Sequence, residues 1–329
     1  MSTSCKIAIT IGDMNGIGPE VTLKALREWR APSGCQIVLI GPEWAYAYWM
    51  EKCKITPTYP IAGNFAALPD QPVVILDGFP KGGVVQAGQI TADAGKIAGR
   101  ALDTAVALCS ENKVQAMVTA PVSKKGLDLG GYHFPGQTEL IADKLNTGNF
   151  AMMLLAGEFR VSLVTTHLPL KRVAQAISMD RIVGKLRTLD RDLRSRFGIA
   201  EPRIAVTALN PHAGESGLLG DEEQRLITPA LEQAREMGIK AEGPFPADAL
   251  FARLDRHRFD CYLAMYHDQA LIPLKLRGFG RAVNYTAGLP IVRTSPDHGT
   301  AYDIAGTNSA EPTSMVEALR LAASLATKS

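Results

Sequence analysis

The sequence predicts an α/β fold of two domains built on largely parallel sheets, and three observations lead there. Short β-branched runs alternate with longer segments of helical apolar spacing, the pattern of successive β-α-β units. The strand-like runs are apolar throughout rather than alternating, as expected of strands buried on both faces. A chain of 329 residues also exceeds what one ordinary core accommodates.

Taken in order, "KIAITIG" (6–12) reads as a strand and "PEVTLKALREWR" (19–30) as the helix after it, with Pro19 at a first helical position. "CQIVLIG" (35–41) and "PEWAYAYWMEKC" (42–53) repeat the unit. Strand "PVVILD" (72–77) leads through a polar loop to helix 91–112, and "AMVTAP" (116–121) follows as a strand. "FAMMLLAG" and "FRVSLVTTH" predict an antiparallel hairpin turning at Gly157-Glu158. Then come a charged helix (179–198), strand "RIAVTALNP", a helix over 221–238, strand "DCYLAMYH" (260–267) and a last amphipathic helix in "EPTSMVEALRLAASLATK". The expected division is a first domain of residues 1–125 plus 295–329 and a second of 126–294.

Hydrophobic residues at 46%, charged ones at 21% and a net charge of +2 describe a soluble globular protein and give no footprint for nucleic acid or an anionic membrane. The N-terminus enters a strand at once, unlike a signal peptide. Cys5, Cys35, Cys53, Cys109 and Cys261 form no C-x-x-C pair and read as thiols in a reducing cytoplasm.

Of six histidines, His167, His212 and His267 each stand at or just past the end of a strand-like run. Ligands of α/β sheets bind at the carboxyl ends of strands, so three such histidines can converge on a divalent metal and leave a position for substrate oxygens. Any one alone reads as an ordinary loop histidine; the repetition carries the metal reading. His257 reads as a solvated surface residue and His133 as part of a glycine loop. Asp268 suits either a carboxylate behind His267 or a helix cap. Asp221, Glu222 and Glu223 read as the acidic first turn of a helix rather than as ligands. Lys275, Asn284 and Arg293 offer an ammonium, an amide and a guanidinium for a phosphate or carboxylate. Gln137 and Thr138 stand where free helix N–H groups favour an anion. "GDMNGIGPE" (12–20) is a strand–turn–helix junction without the G-x-G-x-x-G of dinucleotide sites.

"GDMNGIGPEV", "TAPVSK", "TTHLPL", "LNPHAGE", "GPFPAD", "AMYHDQ", "PLKLRGFGRAVN" and "RTSPDHGTAYDIAG" together span nearly the whole chain. In this order they resemble the 4-hydroxythreonine-4-phosphate dehydrogenase (PdxA) family of vitamin B6 synthesis. The resemblance implies an isocitrate/isopropylmalate dehydrogenase-like α/β fold with the active site in the cleft between two domains, and a homodimer with a shared site. It implies NAD or NADP, and a divalent ion (zinc, magnesium or cobalt) on His167, His212 and His267, with His267 reaching a partner subunit's site. Lys275, Asn284, Arg293 and Thr138 are then substrate contacts, and the loop with His298 and Asp303 belongs to the nucleotide. The implied reaction oxidises, and decarboxylates, a phosphorylated 3-hydroxy acid such as 4-phosphohydroxy-L-threonine, with Lys124 and Asp248 as candidate bases. Two departures bear on the substrate: Gln137 stands where the vitamin B6 enzyme has histidine, and Met14-Asn15 where it usually has proline-alanine. Relatives acting on 4-phospho-threonate, 4-phospho-erythronate or an aromatic cis-dihydrodiol carboxylate are the alternatives within the family. A metal-dependent acyl- or phosphotransferase, or a binding protein without turnover, are those outside it.

Overall fold

The structure, a computed structural model, describes residues 5–56, 59–254 and 259–327; His257 lies outside them. The chain opens with strand β1 (Cys5–Thr10), helix α1 (Gly18–Glu28), β2 (Cys35–Ile40), α2 (Glu43–Lys52), β3 (Ile61–Ala62) and β4 (Val73–Leu76). Next come α3 (Ala92–Ser110), β5 (Ala116–Thr119), α4 (Lys124–Leu129) and α5 (Gln137–Lys144). The hairpin β6 (Ala151–Ala156) and β7 (Phe159–Leu163) turns at Gly157 with φ 60°, as the sequence predicts. It leads to α6 (Val173–Ala176), α7 (Met179–Ser195), β8 (Arg203–Thr207), α8 (Thr228–Glu236), β9 (Lys240–Phe245) and α9 (Ala247–Ala252). The chain ends with β10 (Cys261–Ala264), α10 (His267–Gly278), β11 (Val283–Ala287), β12 (Val292–Pro296) and α11 (Thr313–Ala326).

Two compact units result: Met1–Gly148 with Leu289–Ser329, and Asn149–Gly288. Residues 126–148 and 289–294, assigned to the second domain on sequence, thus belong to the first unit. The reason is glycine. A Cβ on Gly95 of α3 would strike the Gly126 carbonyl of α4, and one on Gly130 would strike the backbone of Gly95 and Lys96. Only glycine lets the two helix backbones approach so closely.

In the first unit the strands run β3-β4-β2-β1-β5-β12, all pairs parallel. In the second the order is β11-β6-β7-β10-β8-β9, antiparallel at β11/β6/β7 and parallel from β7 to β9. β5 and β10 are buried at every residue, which accounts for their unbroken apolar runs. Thr91 and Ser178 cap α3 and α7 through their hydroxyls. The helix expected over 221–238 is broken: a π turn at Glu223–Ile227 precedes α8. Pro229, in the first turn of α8, has no N–H for the carbonyl four residues back.

Two buried polar ties fasten loops to these units. In the second, Asp192 of α7 is 3% exposed and its Oδ2 accepts from Tyr285 Oη (2.8 Å) and Gly288 N (2.9 Å). In the first, Asn15, fully buried, donates to Gln89 O (3.0 Å) and Thr91 Oγ1 (3.1 Å) and accepts from Gln86 N (2.8 Å). Asn15 therefore stitches the glycine turn to the loop before α3, work that alanine at this position has no atoms to do.

Removing either partner of such a tie strands a buried polar group, at roughly 1–3 kcal/mol. Tyr285→Phe is expected to lower unfolding stability by about 1–2 kcal/mol, read as a shifted urea midpoint. Asn15→Ala should cost about 1–3 kcal/mol and speed proteolysis of the 82–91 loop; an unchanged cleavage rate would argue against the stitch.

Candidate active site

In the second unit the three histidines follow β7, β8 and β10, which are consecutive parallel neighbours in the order β7-β10-β8. Their carboxyl ends therefore lie on one sheet edge, spaced by about 4.8 Å per strand. The ring centroids of His167 and His267 are 5.8 Å apart. His267 opens α10 with its Nδ1 2.7 Å from Asp268 Oδ1. With a carboxylate as partner Nδ1 is the donor, the pairing that a carboxylate makes behind a metal-bound imidazole. Asp268 is thus an acceptor behind His267; the helix cap is Tyr266.

His212 is exposed on the Pro211–Gly217 turn, where His212 through Ser216 take φ values of 52°, 54°, 78°, 45° and 57°. Left-handed backbone costs L-residues roughly 1–2 kcal/mol each, so the surroundings must impose it. Glu223, 3% exposed, does so from below: Oε1 accepts from Leu209 N and Asn210 N, both at 2.8 Å, and Oε2 from Asn210 Nδ2 at 3.0 Å. Glu222 takes the same Asn210 amide at 2.7 Å. Gly214 is needed because a Cβ there would meet Glu223 Oε2 at 2.7 Å. The acidic run read as a helix start thus has two members bracing the histidine loop.

Other side chains join the strand ends. Gln269 Oε1 accepts from Met265 N (2.8 Å) and Thr207 Oγ1 (2.7 Å), while its Nε2 donates to Ala208 O (2.7 Å). Thr165 donates to Met265 O from both Oγ1 (2.7 Å) and N (3.1 Å). Among the described residues, no three His, Cys, Asp or Glu side chains lie close enough together to hold a metal ion. The chain brings His167 and His267 together and leaves His212 on its own loop. A pair of imidazoles, one backed by a carboxylate, is nevertheless donor chemistry that suits a divalent transition ion. Lys275 and Asp248 are exposed on α10 and α9, and Asn284 on β11 holds a buried Oδ1 without a hydrogen-bond partner.

In the first unit Arg293, on β12, is 1% exposed. Its Nε and Nη2 donate to Thr119 Oγ1 at 3.0 and 2.8 Å, and Nη1 to Thr138 Oγ1 at 3.3 Å. Burial pushes the guanidinium down to about 10, partly countered by Glu139, so the group remains charged at neutral pH. Thr138 and Gln137 begin α5 behind Gly136, and Gln137 Oε1 is buried without a partner. Lys124 opens α4, and its Cε lies 3.6 Å from where a Gly136 Cβ would stand. A buried cation, a helix N-terminus and a lysine stem thus meet at one place, which suits an anionic group.

Burial also lowers His298, whose Nδ1 lies 3.1 Å from the Gly299 carbonyl while Nε2 is buried without a partner. Asp303 is exposed on the same loop. The glycines of the 12–20 turn serve packing: a Cβ on Gly16 would meet Thr300 O at 2.8 Å, and one on Gly12 the Pro121 carbonyl. Asp13, fully buried and raised by desolvation, accepts from Tyr302 Oη at 2.6 Å and ties that turn to the 297–307 loop. Sequence reasoning passed over Asp13, Thr119, Thr165 and Gln269, and read Glu223 only as part of an acidic helix start. The first four stand in quoted motifs beside the residues that were chosen; Thr165 opens "TTHLPL", two positions before its histidine.

Known proteins similar in fold and sequence are numerous. The family described as "Pyridoxal phosphate biosynthetic protein PdxA" matches residues 39–322. A 4-hydroxythreonine-4-phosphate dehydrogenase of Desulforapulum autotrophicum is 42% identical over 328 residues, covering 98% of this chain and 95% of the relative. A D-threonate 4-phosphate dehydrogenase of Salmonella typhimurium is 41% identical over 327 residues, covering 97% and 98%. The crystal structure of 4-hydroxythreonine-4-phosphate dehydrogenase from Klebsiella pneumoniae superposes with a TM-score of 0.88 at 40% identity, covering 98% of each chain. With its fold, its motifs and near-full-length relatives in agreement, the chain belongs to the PdxA family.

Proposed function

We propose that this chain is a nicotinamide-dependent dehydrogenase that oxidises the secondary hydroxyl of a small phosphorylated hydroxy acid and decarboxylates the product. The candidate substrates are 4-phosphohydroxy-L-threonine and the 4-phosphates of threonate and erythronate. The observation that carries the reading is Arg293: a buried guanidinium that keeps its charge, held by two threonine hydroxyls at the start of a helix. Neutral hydroxyls orient it without cancelling it, so an incoming phosphate or carboxylate gains a desolvated bidentate partner. Thr138 and the α5 N–H groups would share that anion, with Lys275 and Asn284 as further substrate contacts.

His167, His212 and His267 are the residues that would hold a divalent cation, and imidazole donors favour zinc or cobalt over magnesium. Such an ion, when bound, supplies Lewis acidity toward the substrate's hydroxyl and carboxylate oxygens. Asp268 orients the His267 ring through Nδ1, so that Nε2 stays available. NAD or NADP would accept the hydride. His298 supplies a half-buried imidazole whose buried Nε2 is an acceptor for a donor on the nucleotide, and Asp303 an exposed carboxylate on the same loop. For the proton of the hydroxyl we favour Lys124 over Asp248, because its stem lies beside Gly136 at the anion-binding helix start. The family resemblance supports a homodimer with a shared site and a cytoplasmic location; among the described residues, no helix is long and apolar enough to cross a membrane.

The test is release of NADH or NADPH on mixing the protein and a divalent cation with 4-phosphohydroxy-L-threonine, 4-phospho-threonate, 4-phospho-erythronate and a cis-dihydrodiol carboxylate. Turnover of a phosphorylated acid is expected, and silence with all of them would sink the reading. Arg293→Lys keeps the charge but loses the planar fork, and should raise KM for the phosphorylated acid about tenfold with KM for the nicotinamide little changed. Gln137→His should raise kcat/KM for 4-phosphohydroxy-L-threonine relative to the best natural substrate, since a protonatable ring strengthens the hold on a dianion. An unaltered preference would show Gln137 to be a silent replacement.

A further inference from the structure

We propose that Gln269 is the positioning residue of the histidine-bearing sheet edge, acting as a clamp between the ends of β10 and β8, where their backbone ladder has stopped. The functional half of this inference rests on the metal reading of the histidines; the structural half does not. Ladder pairing between β10 and β8 stops at Leu263↔Val206, whereas beside β7 main-chain bonds run on, from Val164 N to Ala264 O (2.8 Å) and from Thr165 N to Met265 O (3.1 Å). Beyond Leu263 and Val206, β10 turns into α10 at His267 and β8 runs on to the left-handed His212 turn, while β7 runs on to His167.

Side chains take over where the ladder ends, and they converge on one residue. Met265 is fully buried; its N–H goes to Gln269 Oε1 and its carbonyl receives both the hydroxyl and the N–H of Thr165. Gln269 reaches across to β8 twice, accepting from Thr207 Oγ1 and donating to Ala208 O. One amide and one hydroxyl thereby link the residue two before His267, the residue two before His167, and the residue four before His212. The amide's orientation is dictated by its partners: Oε1 faces two donors and Nε2 faces a carbonyl, and a flip would turn both contacts repulsive. A network of this kind is worth most when complete, because each member left alone is a buried unpaired polar group.

Gln269 sits on the same helical turn as His267 and Asp268, so the clamp also fixes where α10 begins. Glu223 braces the far side of the His212 turn, leaving the Gln269 contact as the tie between that turn and the other two histidines. Supporting residues behind a metal's ligands commonly contribute about 10–100-fold in affinity.

The experiment compares chelator-stripped wild type, Gln269→Leu, Gln269→Glu, His212→Ala and Tyr285→Phe. Leucine matches the shape and removes every hydrogen bond; glutamate keeps an acceptor for Met265 N and Thr207 but sets an anionic oxygen against the Ala208 carbonyl. Tyr285→Phe destabilises the same unit at a site away from the strand ends. Two readouts are taken: cobalt(II) titration, and hydrogen exchange by mass spectrometry over peptides covering 204–212 and 261–268. Gln269→Leu should accelerate exchange in both peptides while the β6–β7 hairpin stays protected, and should weaken cobalt binding about 10–100-fold. Gln269→Glu should accelerate the 204–212 peptide alone, and Tyr285→Phe neither peptide selectively. Exchange in Gln269→Leu that matches wild type, or that rises uniformly across the chain, overturns the clamp, as does cobalt affinity unchanged beside a His212→Ala protein that has lost it. If His212→Ala binds cobalt like wild type, the metal reading fails instead, and the exchange pattern alone then decides for or against Gln269.

Discussion

Parallel pairing of β7, β10 and β8 is the constraint on which the rest of the second unit depends. Parallel strands bring like ends to like ends, so a residue placed just after each strand is delivered to a common edge whatever its distance in sequence. An antiparallel neighbour would have sent one of the three histidines to the opposite edge. The unit confines its antiparallel pairs to β11, β6 and β7, on the β7 flank of that trio. Asp192, Tyr285 and Gly288 then tie α7 to that flank through buried hydrogen bonds.

The first unit answers to a different constraint, the burial of a charge. Arg293 pays a desolvation cost that pulls its guanidinium down to about 10, and nothing in simple packing requires so polar a residue in an all-parallel sheet. Among the described residues, buried side-chain atoms without partners include Gln137 Oε1, Asn284 Oδ1 and His298 Nε2, three positions named as substrate or nucleotide contacts. Native interiors leave few polar atoms unpaired, and each that remains calls for an explanation.

How much of this was legible depended on the kind of signal. The alternation of apolar runs located β1, β2, β4, β5, β7, β8 and β10 because buried parallel strands carry unbroken hydrophobic stretches, and the histidines stood out as the polar residues following three of them. The break at Glu223–Ile227 was not legible, since the helical spacing of 221–238 continues through a turn whose bonding changes without any change of pattern. The placement of 126–148 was missed because it follows from the absence of side chains at Gly95, Gly126 and Gly130, and an absence carries no periodicity. Gln269 and Thr165 were invisible for another reason: their hydrogen bonds reach Thr207, Ala208 and Met265 across strands that only the fold brings together.

The contact of α3 with α4 has a mechanical meaning. Where two helices touch through side chains, rotamer changes let one slide or tilt against the other. Here the backbones themselves are in contact at Gly95, Gly126 and Gly130, and no flexible group lies between them to absorb a displacement. Gly99 reinforces the seam, since a Cβ there would strike the ring of Tyr132 just beyond α4. Lys124 at the head of α4 is therefore coupled rigidly to a helix of 19 residues. Any shift of the backbone that carries this lysine must carry α3 along, so backbone motion on this side of the unit is that of a lever rather than of a flap.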